Sequence, residues 1–219
     1  MGWYTRHIFP RILDSILRRP SFQRERRLAL APAYGEVLEV GFGTGLNLPH
    51  YPPTVTSLVA LDPTLALQPR VTRRRAAAHM PITCVQGTAE MLPFADACFD
   101  CVVTTWTLCS IANVVQALQH IRRVLKPGGC YVFLEHGRSD HPRLAWWQDL
   151  YNPLHKCIAG GCNVNRPMPR LITQSGMEII QLDCYSMPSM PRLLSRMYRG
   201  IAQPARFITP DAPAVPGGP

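Results

Sequence analysis

The sequence predicts one α/β domain built on a mainly parallel β-sheet, and three observations carry that prediction. Short apolar runs (EVLEV, SLVALD, PITCVQG, FDCVVTTWTL and CYVFLEH) alternate with helical segments. Three glycines, Gly41, Gly43 and Gly45, follow the first run directly. At 219 residues the chain is long enough for one sizeable core and too short for two. Strands that alternate with helices need crossover connections, which give parallel strands covered by helices on both faces.

Taken in order, residues 8–17 (IFPRILDSIL) put Ile8, Ile12, Leu13, Ile16 and Leu17 on one helical stripe, with Pro10 in the first turn. Residues 1–35 are therefore read as an amphipathic helical cap that packs over the domain, with a membrane surface as the competing use of that stripe. From residue 36, EVLEV is a buried strand, followed by the glycine loop and a helix that Asn47 starts. SLVALD is a second strand ending at Asp62, followed by a helix through TLALQPRVTRRRAAAH. PITCVQG and FDCVVTTWTL are the third and fourth strands, VVQALQHIRRVL is a periodic helix stopped by LKPGG, and CYVFLEH is the fifth strand. The alternation then breaks: residues 137–169, rich in aromatics, histidine, proline and glycine, look like an insertion on the domain at 36–208. RLITQSGM is a helix ending at Gly176, and EIIQLDCY and MYRGIAQ supply two more strands. The tail at 209–219 is too rich in proline and glycine to bury a core and is expected to be disordered.

Composition narrows the function. The net charge of +9 comes mostly from arginine, clustered at Arg18–Arg19, Arg24–Arg26–Arg27 and Arg73–Arg74–Arg75. Such a balance suits anionic lipid, nucleic acid or an anionic small substrate, but no aromatic-interleaved basic repeat or zinc-finger spacing appears, so nucleic acid is not expected. The eight cysteines are scattered, several inside apolar runs, which reads as reduced, buried thiols in a cytoplasmic protein. Cys98 and Cys101 form a CxxC without a second one, on a strand, so burial is expected rather than metal binding. No apolar run is long enough to span a membrane.

The glycine loop invites a nucleotide, since the end of the first strand is where open α/β sheets bind such ligands. Its spacing is GxGxG rather than the dinucleotide GxGxxG, and no lysine follows as a phosphate-binding loop requires. Glu39 precedes it, and Asp62 lies at the end of the second strand, 21 residues after Gly41, where an ionised carboxylate can accept from both ribose hydroxyls.

The series EVLEVGFGTG, VALDPT, VQGTAEMLPFADACFDCVV and IRRVLKPGG resembles the ordered motifs of class I S-adenosylmethionine-dependent methyltransferases, over roughly residues 36–136. The resemblance implies a Rossmann-like fold with a seven-stranded, mostly parallel sheet whose last strand is antiparallel. It implies S-adenosyl-L-methionine as cofactor, S-adenosyl-L-homocysteine as product, and no metal. It also implies cofactor-binding residues: Gly41, Gly43 and Gly45 at the methionine part with Glu39 and Asn47, Asp62 and Pro63 at the ribose, Thr88, Ala89 and Glu90 near the adenine, and Thr105 at the end of the fourth strand. Many relatives carry GDAE where this chain has GTAE, with Thr88, which shifts the adenine contact toward backbone or Glu90.

A narrower resemblance follows. EHGRSDHPRLAWWQDLYNPLHKCIAGGCNVNR, together with TLCSI, is similar to a segment of the thiol methyltransferases of animals and of small bacterial relatives. The animal members carry an N-terminal membrane anchor that this sequence lacks, so at most peripheral membrane contact is expected. The resemblance points to a small-molecule acceptor, with thiol sulfur first and a quinone-precursor carbon or a phospholipid amine as alternatives. A cofactor-binding protein acting through its basic N-terminus is the non-enzyme alternative. Trp106, Leu108, Trp146, Trp147, Tyr151, His155 and Arg166 are the expected acceptor-pocket residues. His136 is the expected general base, with a structural hydrogen bond as the competing role, because an imidazole near its ordinary pKa takes a proton at neutral pH. Arsenite methyltransferases hold their substrate through thiolates, and Cys157 and Cys162 are spaced compatibly with that, but without metal-ligand spacing a structural role is expected.

Overall fold

The computed structural model describes residues 9–64 and 69–205. The residues 65–68 assigned to a helix and the tail at 209–219 lie outside them.

Among the described residues, two helices precede the first strand, α1 (Phe9–Leu17) and α2 (Pro20–Leu30). The strands are β1 (Gly35–Val40), β2 (Val55–Asp62), β3 (Ile82–Gln86), β4 (Phe99–Thr105), β5 (Leu125–His136), β6 (Met177–Ser186) and β7 (Arg196–Pro204). Between them lie α3 (Pro69–Ala76), α4 (Val114–Val124), α5 (Pro142–Ile158) and α6 (Met168–Gln174). They form one sheet in the order β3-β2-β1-β4-β5-β7-β6. The pairs β1–β2, β1–β4, β2–β3 and β4–β5 are parallel, while β7 runs antiparallel to both β5 and β6. The expected seven-stranded sheet with an antiparallel last strand is the one observed.

Alternation along the central strands builds two cores. Leu38, Val40 and Val102 face α4 and α6, while Val37, Cys101 and Val103 face the side covered by α2 and α3. α4 buries Val114, Ala117, Leu118, Ile121 and Val124, a stripe at helical spacing, and Asn113 caps it by accepting from the Gln116 N–H at 3.2 Å. Cys101 is buried in the strand and Cys98 is half-buried, as expected for thiols used as small hydrophobes.

One expectation needs correction and two gain detail. The glycine loop is followed not by an α-helix but by a single 3-10 turn, Leu48–His50. Pro52 and Pro53 lack the amide donors that would bond the Leu48 and Pro49 carbonyls in an α-helix, so Asn47 caps this short turn and starts no α-helix. The segment 137–169 holds a 17-residue helix, α5. Its pattern is inverted: Ala145, Gln148 and His155 are buried, while Trp146, Trp147, Leu150, Leu154 and Ile158 are at least half exposed. The N-terminal cap contains α2 as well as the predicted α1, and α2 buries Phe22, Arg26, Ala29 and Leu30.

The strand order reverses at β1 and β4: the chain leaves β1 toward β2 and β3, then returns across to β4 and β5. A crevice outside the carboxyl ends of these two strands is where such sheets bind ligands.

Candidate active site

A cavity of about 480 Å³ opens at that reversal, within the ~300–1,000 Å³ range of small-molecule sites. Its floor is the loop after β1. Gly41 and Gly43 both take positive φ, +80° and +56°. The Gly41 and Phe42 amides donate to the Leu61 carbonyl at 2.9 and 3.2 Å, which folds the loop onto the end of β2. Asp62 closes it: one carboxylate oxygen accepts from the Gly43 amide at 2.8 Å, and the other from the Thr64 amide at 2.8 Å and its hydroxyl at 3.0 Å. A Cβ on Gly43, which lines the cavity, would meet nothing within 4 Å; one on Gly41 would lie 2.3 Å from the Thr107 side chain.

Beneath the loop lies a buried polar cluster. Glu39 is 2% exposed and accepts from the Asn47 side-chain amide at 2.9 Å and the Tyr51 hydroxyl at 2.8 Å. Burial pushes its pKa up to about 7, although Tyr51, the Arg26 charge and Asn47 pull it back. The Arg26 guanidinium donates to Asn47 Oδ1 at 2.6 Å and to Thr105 Oγ1 at 2.9 Å, and lies over the Trp106 ring at 4.7 Å. Burial lowers its pKa to about 10, against the raising effect of Glu39. The cavity lining therefore holds an arginine and a carboxylate that share Asn47.

The wall farther from β2 is mainly apolar, with Thr107 and Ser110 as polar members. Leu13 and Leu17 come from α1, and Trp106, Ile111 and Ala112 from the loop after β4. Trp106 takes φ +50°, unusual for a bulky residue, and its indole N–H is buried without a partner. Glu135, fully buried, holds this loop by accepting from the Thr107 and Leu108 amides, and burial raises its pKa to about 8. α1 is clamped to the opposite side: Asp14 accepts from the Thr44 hydroxyl at 2.5 Å and from Arg74 at 3.0 Å.

Of the residues assigned from sequence, Glu39, Gly41, Gly43, Asp62, Pro63, Thr88, Ala89, Glu90, Thr105 and Trp106 line this one cavity. Gly45 and Asn47 support it from behind, Gly45 donating to the Phe42 carbonyl at 3.0 Å. The acceptor-side set is dispersed. Leu108 is in the core, and Arg166 spends its guanidinium on the Leu108 and Ile111 carbonyls. Trp147 is 53% exposed on α5, and Tyr151 sits against His155 one turn away on the same helix. His136 does not line the cavity; it is 5% exposed, with Nε2 3.1 Å from Cys162 Sγ, because the end of β5 turns its side chain toward the segment after α5. Cys157 is exposed while Cys162 is turned inward.

The sequence reading missed Asp14, Arg26, Leu13 and Leu17. Arg26 had a legible signal: it is the single charge in the α2 stripe Phe22, Arg26, Ala29, Leu30, a position where a cation needs a buried partner.

Residues 38–133 match the family described as "Methyltransferase domain". Thiol S-methyltransferase TMT1B of Homo sapiens is 32% identical over 170 residues, which cover 76% of this chain and 69% of that protein. Demethylmenaquinone methyltransferase of Paenarthrobacter aurescens is 31% identical over 144 residues, 64% of this chain and 54% of that one. Among solved structures, the 1,6-didemethyltoxoflavin-N1-methyltransferase of Burkholderia thailandensis, with bound 1,6-didemethyltoxoflavin and S-adenosylhomocysteine, has the same fold. It superposes with a TM-score of 0.66 at 14% identity, covering 90% of this chain and 84% of that one.

Proposed function

The chain belongs to the S-adenosylmethionine-dependent methyltransferases, and from that membership we propose that it moves a methyl group to the sulfur of a small, largely apolar thiol. S-adenosylmethionine, when bound, supplies a methyl group already activated on a sulfonium sulfur. What the chain must add is binding, alignment and exclusion of water.

The lining fits that cofactor. Gly43 leaves bare backbone at the floor, and Asp62 stands at the end of β2 with a lone pair left for a ribose hydroxyl on the oxygen that accepts from Gly43. Glu39 and Arg26 offer a carboxylate and a guanidinium at one end, matching the ammonium and carboxylate of the cofactor's amino-acid part. Thr88, Ala89 and Glu90 form the rim next to Asp62 and Pro63 and are assigned to the adenine. Asn47 holds Glu39 and Arg26 in register through hydrogen bonds to both.

The observation that carries the choice of acceptor is the apolar wall of Leu13, Leu17, Trp106, Ile111 and Ala112, with no histidine among the described lining residues and each lining carboxylate, Asp14, Glu39, Asp62 and Glu90, already accepting a hydrogen bond. A carbon, phenol or amine nucleophile needs a positioned base at neutral pH, whereas a thiol with a pKa near ~8.5 already holds a usable thiolate fraction. The 32% identity to a human protein named as a thiol S-methyltransferase supports the same reading.

The test is calorimetry with S-adenosylhomocysteine, followed by methylation assays on alkyl and aryl thiols, demethylated quinols and phosphatidylethanolamine. Turnover on thiols alone is expected. Turnover only on a quinol or a lipid amine would overturn the thiol assignment and leave the family assignment standing.

A further inference from the structure

Behind the apolar wall, three elements bring together side chains that the proposed methyl transfer does not use. Cys109 comes from the loop after β4, His136 from the end of β5, and Cys162 from the segment after α5. One ligand atom from each lies within 4.8 Å of the others. We propose that Cys109, His136 and Cys162 form a binding site for a thiophilic divalent cation of the Zn²⁺ class.

Zn–S bonds of about 2.3 Å and Zn–N bonds of about 2.0–2.1 Å put tetrahedral ligand atoms roughly 3.5–4 Å apart. The spacing here brackets that value: His136 Nε2 and Cys162 Sγ are 3.1 Å apart and all three ligand atoms lie within 4.8 Å of one another, so seating an ion needs the first pair to open by a few tenths of an ångström. The donor set is soft, two sulfurs and an imidazole, which selects zinc-class ions over magnesium or calcium. Burial adds a second argument: Cys109 and His136 are 2% and 5% exposed, so an ion seated between them is held away from bulk water.

The scaffold is held before any ion arrives. The Asn163 amide and side chain both donate to the Cys109 carbonyl, at 2.8 and 3.0 Å, tying the two cysteine-bearing loops together. Arg166 grips the carbonyls of Leu108 and Ile111 on either side of Cys109. Binding converts both thiols to thiolates: two protons go to solvent, two S–metal bonds form and the ion's two charges are neutralised, with no change of oxidation state. Three protein ligands leave the fourth position for water. The ion would fix the loop that carries Trp106, Ser110 and Ile111, and so the acceptor wall of the cavity, without touching the cofactor residues.

The experiment uses the reduced full-length protein and Co²⁺ as a spectroscopic probe, followed by displacement with Zn²⁺. One equivalent of Co²⁺ per chain, with thiolate-to-cobalt charge-transfer bands that Zn²⁺ abolishes, is expected. Cys162→Ser and His136→Asn, shown folded by circular dichroism, should each weaken Zn²⁺ binding at least tenfold, while Cys157→Ser leaves it unchanged. Absence of charge-transfer bands in the wild-type protein overturns the site without recourse to a variant. So does Zn²⁺ affinity that survives both substitutions, or a Cys109–Cys162 disulfide in the protein isolated without reductant.

Discussion

Glu39→Gln separates the electrostatics of the buried cluster from its packing. In the folded protein the Glu39 pKa stands at about 7 against an ordinary 4.5, with burial as the main cause. A shift of that size is worth roughly 3 kcal/mol. Below pH 4.5 the carboxyl is protonated in both states and close in shape to glutamine, so the two proteins differ little. Between 4.5 and 7 the folded state keeps a proton that the unfolded state has lost. Wild-type stability therefore falls with rising pH through that window and levels off above it, whereas the glutamine variant skips this fall. Urea unfolding of the ligand-free proteins from pH 5 to 8.5 should show the variant gaining about 2–3 kcal/mol on the wild type. Glu135, with its pKa raised to about 8, titrates in both proteins and cancels in the difference. Parallel stability profiles, with a difference constant to within about 1 kcal/mol, would refute the reasoning. The same variant should bind S-adenosylhomocysteine more weakly at pH 8, because the charge that costs stability is the one assigned to the ligand's ammonium.

Gly41→Ala places a Cβ 2.3 Å from Thr107 at φ +80° and should cost about 2–5 kcal/mol in chemical denaturation. Gly43→Ala meets nothing within 4 Å, so it should cost only the ~1–2 kcal/mol of a left-handed residue while reducing cofactor affinity in calorimetry. Asp62→Ala should weaken S-adenosylhomocysteine binding tenfold or more, in line with the ~1.5–3 kcal/mol of a hydrogen bond to a charged group; an unchanged dissociation constant would remove the ribose assignment. Arg26→Met keeps the bulk beneath Trp106 and removes the cation, so affinity for the cofactor should fall at least tenfold, and intact affinity would show that Arg26 serves packing alone.

The sheet was legible because its signals are local: each strand is a short apolar run closed by a turn residue, and Glu39, Gly41, Gly43 and Asp62 stand at strand ends that chain order alone brings side by side. α5 was illegible for a physical reason. Its buried face is Ala145, Gln148 and His155, and Gln148 is fully buried because it bridges the Gly137, Val164 and Leu193 carbonyls and accepts from the Ser139 amide. A helix docked by hydrogen bonds, with its large apolar residues outward, has no inward apolar stripe to detect. His136 failed as a cavity residue for a related reason: a strand end fixes where a side chain starts, and the neighbouring loops decide which way it turns.

The acceptor end follows from an omission in the same region. With only a 3-10 turn after the glycine loop, no helix from the sheet's own alternation covers the cavity there, and α1 and α2 take its place. They contribute Leu13, Asp14, Leu17 and Arg26 to the lining. Asp14 locks α1 to Thr44 and Arg74, and Phe22 packs on Trp106 with ring centroids 5.5 Å apart. The segment 9–30 is thus a wall of the site, joined to the glycine loop on one side and to the post-β4 loop on the other. Acceptor preference should therefore respond to substitutions at Leu13, Leu17 and Trp106 before it responds to Trp147, Tyr151 or His155, whose side chains do not line the cavity.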